Sequence, residues 1–232
     1  MIGSSIHQST AEIIGRFDVL SAVRDRALAE GRQIIRLSAN SVRAVHRHDF
    51  AEAASILADA KVMLNALSID LASYPSIYWA GYVQDAMKEF AEAQITFAIV
   101  NQSEVPGARE LAVEDAPYLN AMAESASELR RDVLDRLRAD DVARAEQLLG
   151  AMDTIYDLLI TVDFPDAITG GLRRTTDQLR AVLERTRGDL TITMTQKRLQ
   201  RSLNDMLTAL DQFSVDHVED KELSDPHEPS EL

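Results

Sequence analysis

The sequence predicts an all-α protein, an antiparallel bundle of six or seven helices, and three observations carry that expectation. Apolar residues recur at three- and four-residue spacing over long stretches, which marks one face of a helix. Ala, Leu, Glu and Arg are abundant while aromatic residues make up only 5% of the chain, a bias toward helix over strand. Cap and break signals cut the 232 residues into pieces of helical length.

Taken in order, the first helix is expected from about Thr10 to His46, with Ile13, Phe17, Leu20, Ala27, Ile34, Val42 and Val45 as its apolar stripe. Asp49 opens the second, with Glu52 three residues on as a capping box, and Leu71 closes it. Tyr74-Pro75 breaks the chain before a third helix from Ser76 to Asn101, in which Val83, Phe90 and Phe97 step along one side. A loop holding Pro106-Gly107 leads to a fourth helix, capped by Asp115 with Pro117 in its first turn, ending near Arg138. Asp140 starts a fifth, carrying Leu148, Met152, Ile155 and Leu159. A sixth runs from Asp166 to Arg187, with Gly170-Gly171 as a candidate interruption. Gly188-Asp189 separates a seventh, with Ile192, Leu199, Leu203, Met206 and Leu210 as its stripe. Residues 1–213 read as one helical domain and 214–232 as an acidic tail, expected to be disordered because apolar residues give way to acids and prolines.

Charge and composition exclude several classes of protein. The chain has no cysteine, so disulfides and thiolate metal sites are ruled out. No run approaches the ~18 apolar residues of a membrane helix and no signal peptide is evident, so no membrane partner and a cytoplasmic location are expected. The net charge of −14 argues superficially against nucleic acid, but the tail alone carries seven acids against one lysine. The cations are mostly arginine, twenty against four lysines, and a local guanidinium patch can grip phosphate on an acidic protein.

Phosphate-cradling glycine motifs, a serine nucleophile elbow and zinc-protease histidine spacings are all missing. Carboxylate chemistry remains. Glu89 and Glu92, three apart, share one face of the third helix; Glu124 and Glu128, four apart, share one face of the fourth. Antiparallel packing could bring the four together, and crowded carboxylates invite a divalent cation. Mg²⁺ or Mn²⁺ suits an all-oxygen site and can activate water toward a phosphodiester. Such pairs also commonly decorate a solvated face, so spacing alone leaves both readings open.

Several ordered motifs add to this. The run Arg36-Leu-Ser-Ala-Asn-Ser-Val-Arg-Ala-Val-His46-Arg47 with Asp49-Phe50 resembles a signature of the translin/Trax family, in its archaeal-type form. Glu89-Phe-Ala-Glu92-Ala is similar to that family's Glu-Tyr-Val-Glu-Ala motif. Tyr118-Leu119, Ala123-Glu124 and Glu128-Leu129 follow its next motif, and Tyr156-Asp157 and Gly171-Leu172-Arg173-Arg174 through Asp189-Leu190 its later helices. The resemblance implies a helical fold assembled into a hollow oligomer, usually an octamer, that binds single-stranded RNA or DNA. It further implies Mg²⁺-dependent endoribonuclease activity of Trax type, in a homo-oligomer or beside a translin-like subunit. By motif match Glu89, Glu92, Glu124 and Glu128 are the catalytic and metal-holding residues. Translin, the non-catalytic shell-building and nucleic-acid-binding member, lacks acids at two of these places. This sequence departs at Glu124, where the family has Asp, and at Ser127, where it has Gly.

For RNA contact the candidates are Arg43, His46 and Arg47 at the end of the first helix and Arg130 and Arg131 beside the acidic motif. The first three also suit a helix C-terminus, and Arg130 and Arg131 could instead pair with Asp132 or Asp135. Trp79 and Tyr82 read as core or interface residues, with base stacking as the alternative.

Overall fold

A computed structural model of the chain describes the backbone of residues 2–222 and the side chains of residues 5–210. The described residues are helical with connecting turns: α1 (Ile2–His46), α2 (Phe50–Leu71), α3 (Pro75–Tyr78), α4 (Gly81–Val100), α5 (Ala108–Leu111), α6 (Asp115–Arg138), α7 (Val142–Leu159), α8 (Asp166–Thr169) and α9 (Leu172–Glu222). Two compact units are distinguished, residues 1–187 and 188–232.

In the first unit α1 lies against α2 and α4, α4 against α6, and α6 against α7. Ile34 of α1, Leu57, Leu64 and Leu67 of α2, and Met87, Phe90 and Ile95 of α4 are sealed together in the main core. Ala123 and Ala126 of α6, Ile155 and Leu159 of α7, and Leu172 and Leu179 of α9 form a second cluster. α4 and α6 pack directly against each other, which brings their polar flanks into reach. Unit 2, described by itself, is helical over its described part and leaves Ile192, Leu199, Leu203, Met206 and Leu210 exposed.

The caps follow the expected chemistry in part. Asp49 accepts from the Glu52 amide at 3.1 Å, but the Glu52 carboxylate turns to Arg47 at 2.6 Å instead of closing the capping box. Asp141, rather than Asp140, caps α7 by accepting from the Arg144 amide, because Asp140 occupies a left-handed turn. Glu114 holds the cap position of α6 and Asp115 is its first helical residue.

Three expected boundaries differ. The first helix begins at Ile2 rather than Thr10, and Ile13 and Phe17 of its expected stripe are exposed, burial starting near Val23. The third helix is two: Ala80 is extended, and the carbonyl of Tyr78 is taken by the side-chain amide of Gln84 at 2.9 Å, which ends α3 and lets α4 begin. The sixth and seventh are one from Leu172 onward, since a single mid-helix glycine, Gly188, costs about 1 kcal/mol and does not force a break. The break falls instead at Gly170 and Gly171, both at positive φ, where a side chain would be strained. Of the tail, residues 214–222 continue α9, and 223–232 lie outside the described residues.

Candidate metal centre and nucleic-acid surface

Glu89 and Glu92 sit on α4 because residues three apart share a helix face, and Phe90 and Ala91 between and beside them are sealed in the core. Glu124 projects from α6 between the buried Ala123 and Ser125. Each of the three carboxylates offers an oxygen, and these lie within 4.8 Å of one another. All three residues are half-buried. The additional methylene of Glu124 does not keep it from the cluster. Ser127 bonds its hydroxyl to the Ala123 carbonyl at 3.0 Å.

Lys88 supplies the only cation in direct contact with this cluster among the described residues. Its ammonium donates to both oxygens of Glu124, at 2.9 and 2.7 Å, and lies 3.3 Å from Glu89. Burial would lower the Lys88 pKa, but the bond to Glu124 and the charges of both acids raise it above its ordinary value. One ammonium against three carboxylates is an incomplete offset. Glu92 carries the consequence: burial first, then the charges of Glu89, Glu124 and Glu128, push its carboxyl up to about 8, against the opposing pull of Lys88. A cluster of oxygen donors with surplus negative charge, partly shielded from water, fits a hard divalent cation such as Mg²⁺ or Mn²⁺.

Glu128, the fourth acid of the sequence motif, lies one turn further along α6 and belongs to a different group. His46, at the end of α1, bonds Glu128 through Nε2 at 2.6 Å and Asp132 through Nδ1 at 3.1 Å. The side chains of His46 and Asp132 are each 3% exposed. Burial would lower the His46 pKa, but the bonds to Asp132 and Glu128 and their charges prevail and raise it to about 9. The bond from His46 holds Glu128 below the usual carboxylate range, against burial, with Arg131 adding to the effect. The three converging oxygens thus come from Glu89, Glu92 and Glu124, while Glu128 is engaged by an imidazolium.

The arginines spread over two places. Arg43 and Arg47 are exposed at the C-terminus of α1; Arg43 donates to Asn40 at 2.6 Å and Arg47 to Glu52. Arg131 is exposed and, with Glu128, Arg130 and Arg138, lines a surface depression of about 460 Å³. Arg130 is half-buried and donates to Thr186 of α9 at 3.0 Å. Neither arginine takes Asp132, which is committed to His46. Trp79 is 60% exposed, whereas Tyr82 packs partly against the core. Arg187 joins Asp153 of α7, a pair between helices.

Sequence reasoning missed Lys88 and Asp132. Both left a signal: Lys88 directly precedes the Glu-x-x-Glu motif, and Asp132 extends the row Glu124, Glu128 by one more turn.

A helical bundle bearing a partly shielded acidic cluster between two packed helices defines the class. The comparisons with known proteins agree. A crystal structure of AfC3PO superposes with a TM-score of 0.74 at 31% identity, covering 80% of this chain and 96% of that one. An AfC3PO–duplex RNA complex matches equally, at TM-score 0.74, 30% identity and the same coverage. NeC3PO shares the fold at TM-score 0.72 and 16% identity, over 78% of this chain and 95% of that one. An uncharacterised protein of Methanocaldococcus jannaschii is 28% identical over 196 residues, 82% of this chain and 85% of the relative. No protein-family model matches. The chain belongs to the translin family, to which the C3PO proteins are related in fold and sequence. Among the described residues no helix is long and apolar enough to cross a membrane.

Proposed function

We propose that this chain is a Trax-like, archaeal-type member of its family and a metal-dependent endoribonuclease acting on single-stranded RNA. The observation that supports it is the convergence of Glu89, Glu92 and Glu124 from two helices to within 4.8 Å. Those three carboxylates hold Mg²⁺ or Mn²⁺. A bound ion of this kind supplies Lewis acidity toward a phosphoryl oxygen and makes water a better nucleophile. Glu128, oriented by His46 and Asp132, stands one turn away, where it positions water and the inner face of the site rather than closing the ligand set. Arg131 and Arg130 flank Glu128 and take the phosphate backbone on one side; Arg43 and Arg47 extend that track at the end of α1. The similarity to AfC3PO, solved with duplex RNA, supports RNA as the polymer. Exposed apolar side chains on α1, such as Ile13 and Phe17, and on α9, such as Leu199 and Leu203, are covered in a homo-oligomer, an octamer, or by a translin-like subunit.

Lys88 favours a second reading, a non-catalytic shell protein that binds single-stranded RNA or DNA. Its ammonium already bridges Glu89 and Glu124 and supplies part of the charge that a metal would bring.

One experiment separates the two. Labelled single-stranded RNA is incubated with the protein in Mg²⁺ or EDTA, beside Glu92→Ala. The nuclease reading expects cutting in Mg²⁺ only, reduced more than about a hundredfold by Glu92→Ala with binding retained. Binding without cutting in any divalent metal supports the shell reading, and equal cutting by Glu92→Ala removes the assigned centre.

A further inference from the structure

The acid cluster opens on one side into a cleft of about 570 Å³ that the metal reading touches only at Glu124. Lys88 and Glu124 line it, so it is continuous with the cluster. Trp79 stands at the turn between α3 and α4, and Arg174 and Gln178 face in from α9. The volume falls in the range of small-molecule sites, about 300–1,000 Å³, which is too little for a duplex and ample for one nucleotide.

Trp79 is both exposed and held. Its indole meets Tyr78 edge to face, with ring centroids 5.2 Å apart at 83°. Tyr78 in turn donates its hydroxyl to Glu114 at 2.5 Å, and its carbonyl accepts from Gln84. A large apolar ring braced from behind and 60% open to solvent is a preorganised stacking surface. The side chains of Arg174 and Gln178 are exposed and have no hydrogen-bond or ion-pair partner within the chain among the described residues, which leaves a guanidinium for phosphate and an amide for a base edge. The opposing charges in the cleft are Asp85 and Glu124, and Glu124 is already paired with Lys88. The lining itself balances Lys88 and Arg174 against Asp85 and Glu124, but Glu89 and Glu92 adjoin it, so stacking has to carry the affinity.

We infer that this cleft is a subsite for one unpaired nucleotide next to the bond that is cut, its base on Trp79 and its phosphate toward Arg174 and Lys88. The inference rests on the RNA-directed reading above and adds how an unpaired strand is selected: a base within a duplex has no free face to offer the indole.

Trp79 is the single tryptophan of the chain, so its emission reports the subsite directly. The full-length protein in EDTA, which prevents cutting, is titrated with an unlabelled oligoadenylate while tryptophan emission is followed. Anisotropy of the same oligonucleotide carrying fluorescein gives binding independently. Saturable quenching at the affinity given by anisotropy is expected, with none from a duplex of equal length. Trp79→Ala is expected to weaken binding about tenfold, and Trp79→Phe to restore most of it. Binding seen by anisotropy without quenching, or unchanged in Trp79→Ala, overturns the subsite while RNA binding stands. Emission that responds to protein concentration but not to RNA overturns it in favour of a contact between copies. Absence of all binding sinks both readings. Quenching by a protein that never cuts in Mg²⁺ keeps the subsite and removes the nuclease.

Discussion

Glu124 and Glu128 are the same residue type, one turn apart on α6, each half-buried, yet they live in opposite electrostatic surroundings. Around Glu124 three carboxylates share one ammonium, and burial together with the neighbouring negative charges raises the pKa of Glu92. Around Glu128 a buried imidazolium answers two carboxylates and pulls Glu128 down. The first group sets three carboxylates against one ammonium and has room for a further cation; the second sets two against one imidazolium. Which group a glutamate joins is decided by what the neighbouring helix places opposite it: Lys88 and two acids from α4 in one case, His46 from α1 in the other.

That contrast can be broken most forcefully at His46. His46→Ala leaves Asp132 buried without its partner, and a loss of about 3 kcal/mol in denaturant unfolding is expected, while Mg²⁺ affinity measured by calorimetry changes little. A large loss of metal affinity at unchanged stability would put Glu128 back among the ligands.

The pH dependence sharpens the same contrast. Glu92 and His46 each hold a proton more tightly in the fold than in the unfolded chain, Glu92 up to about 8 and His46 up to about 9. Their stabilising proton uptake is complete below 4.5 and 6.5 respectively, and stability is lost as pH rises through about 8 and about 9. Without metal, thermal or denaturant unfolding should therefore show a decline from pH 5 to 9, on the order of 2 kcal/mol. Mg²⁺ should cancel the Glu92 part and leave the His46 part. Glu92→Gln should flatten the same portion without metal, and a slope indifferent to both changes would contradict the surplus charge at the cluster.

A smaller effect is expected at Lys88. Lys88→Met removes the resident ammonium, so Mg²⁺ should bind about tenfold more tightly as the metal-free protein becomes less stable. Weaker Mg²⁺ binding would instead make Lys88 a partner of the occupied site. Smallest is Arg47→Ala at the exposed end of α1. Its pair with Glu52 is worth less than about 1 kcal/mol, so stability should hardly move. RNA affinity at low salt should fall a few-fold with a shallower salt dependence, and an unchanged salt slope would take Arg47 off the phosphate track.

Much of this molecule was legible before its coordinates. Val83 and Phe90 step along α4 and are both fully buried, because seven residues are close to two helical turns and the stripe returns to the same face. Asp49 and Gly170-Gly171 stand at element ends, where a side-chain acceptor or a positive φ is needed. The boundary at Gly188 was misread because glycine permits a break without requiring one. Ile13 and Phe17 have the periodicity of core residues and are exposed, since a stripe records only that one face is apolar and says nothing of what covers it.

The sequence by itself determined an all-helical chain and the shared helix faces of Glu89 with Glu92 and of Glu124 with Glu128, because helix periodicity is a local property. Only the tertiary structure decided that Glu124 crosses to the α4 pair, that Glu128 answers His46 and Asp132, and that Lys88 sits among the acids. Those choices depend on which helices touch and at what height. No local spacing encodes them, because the side chains concerned are separated by thirty-six residues in one case and eighty-two in the other.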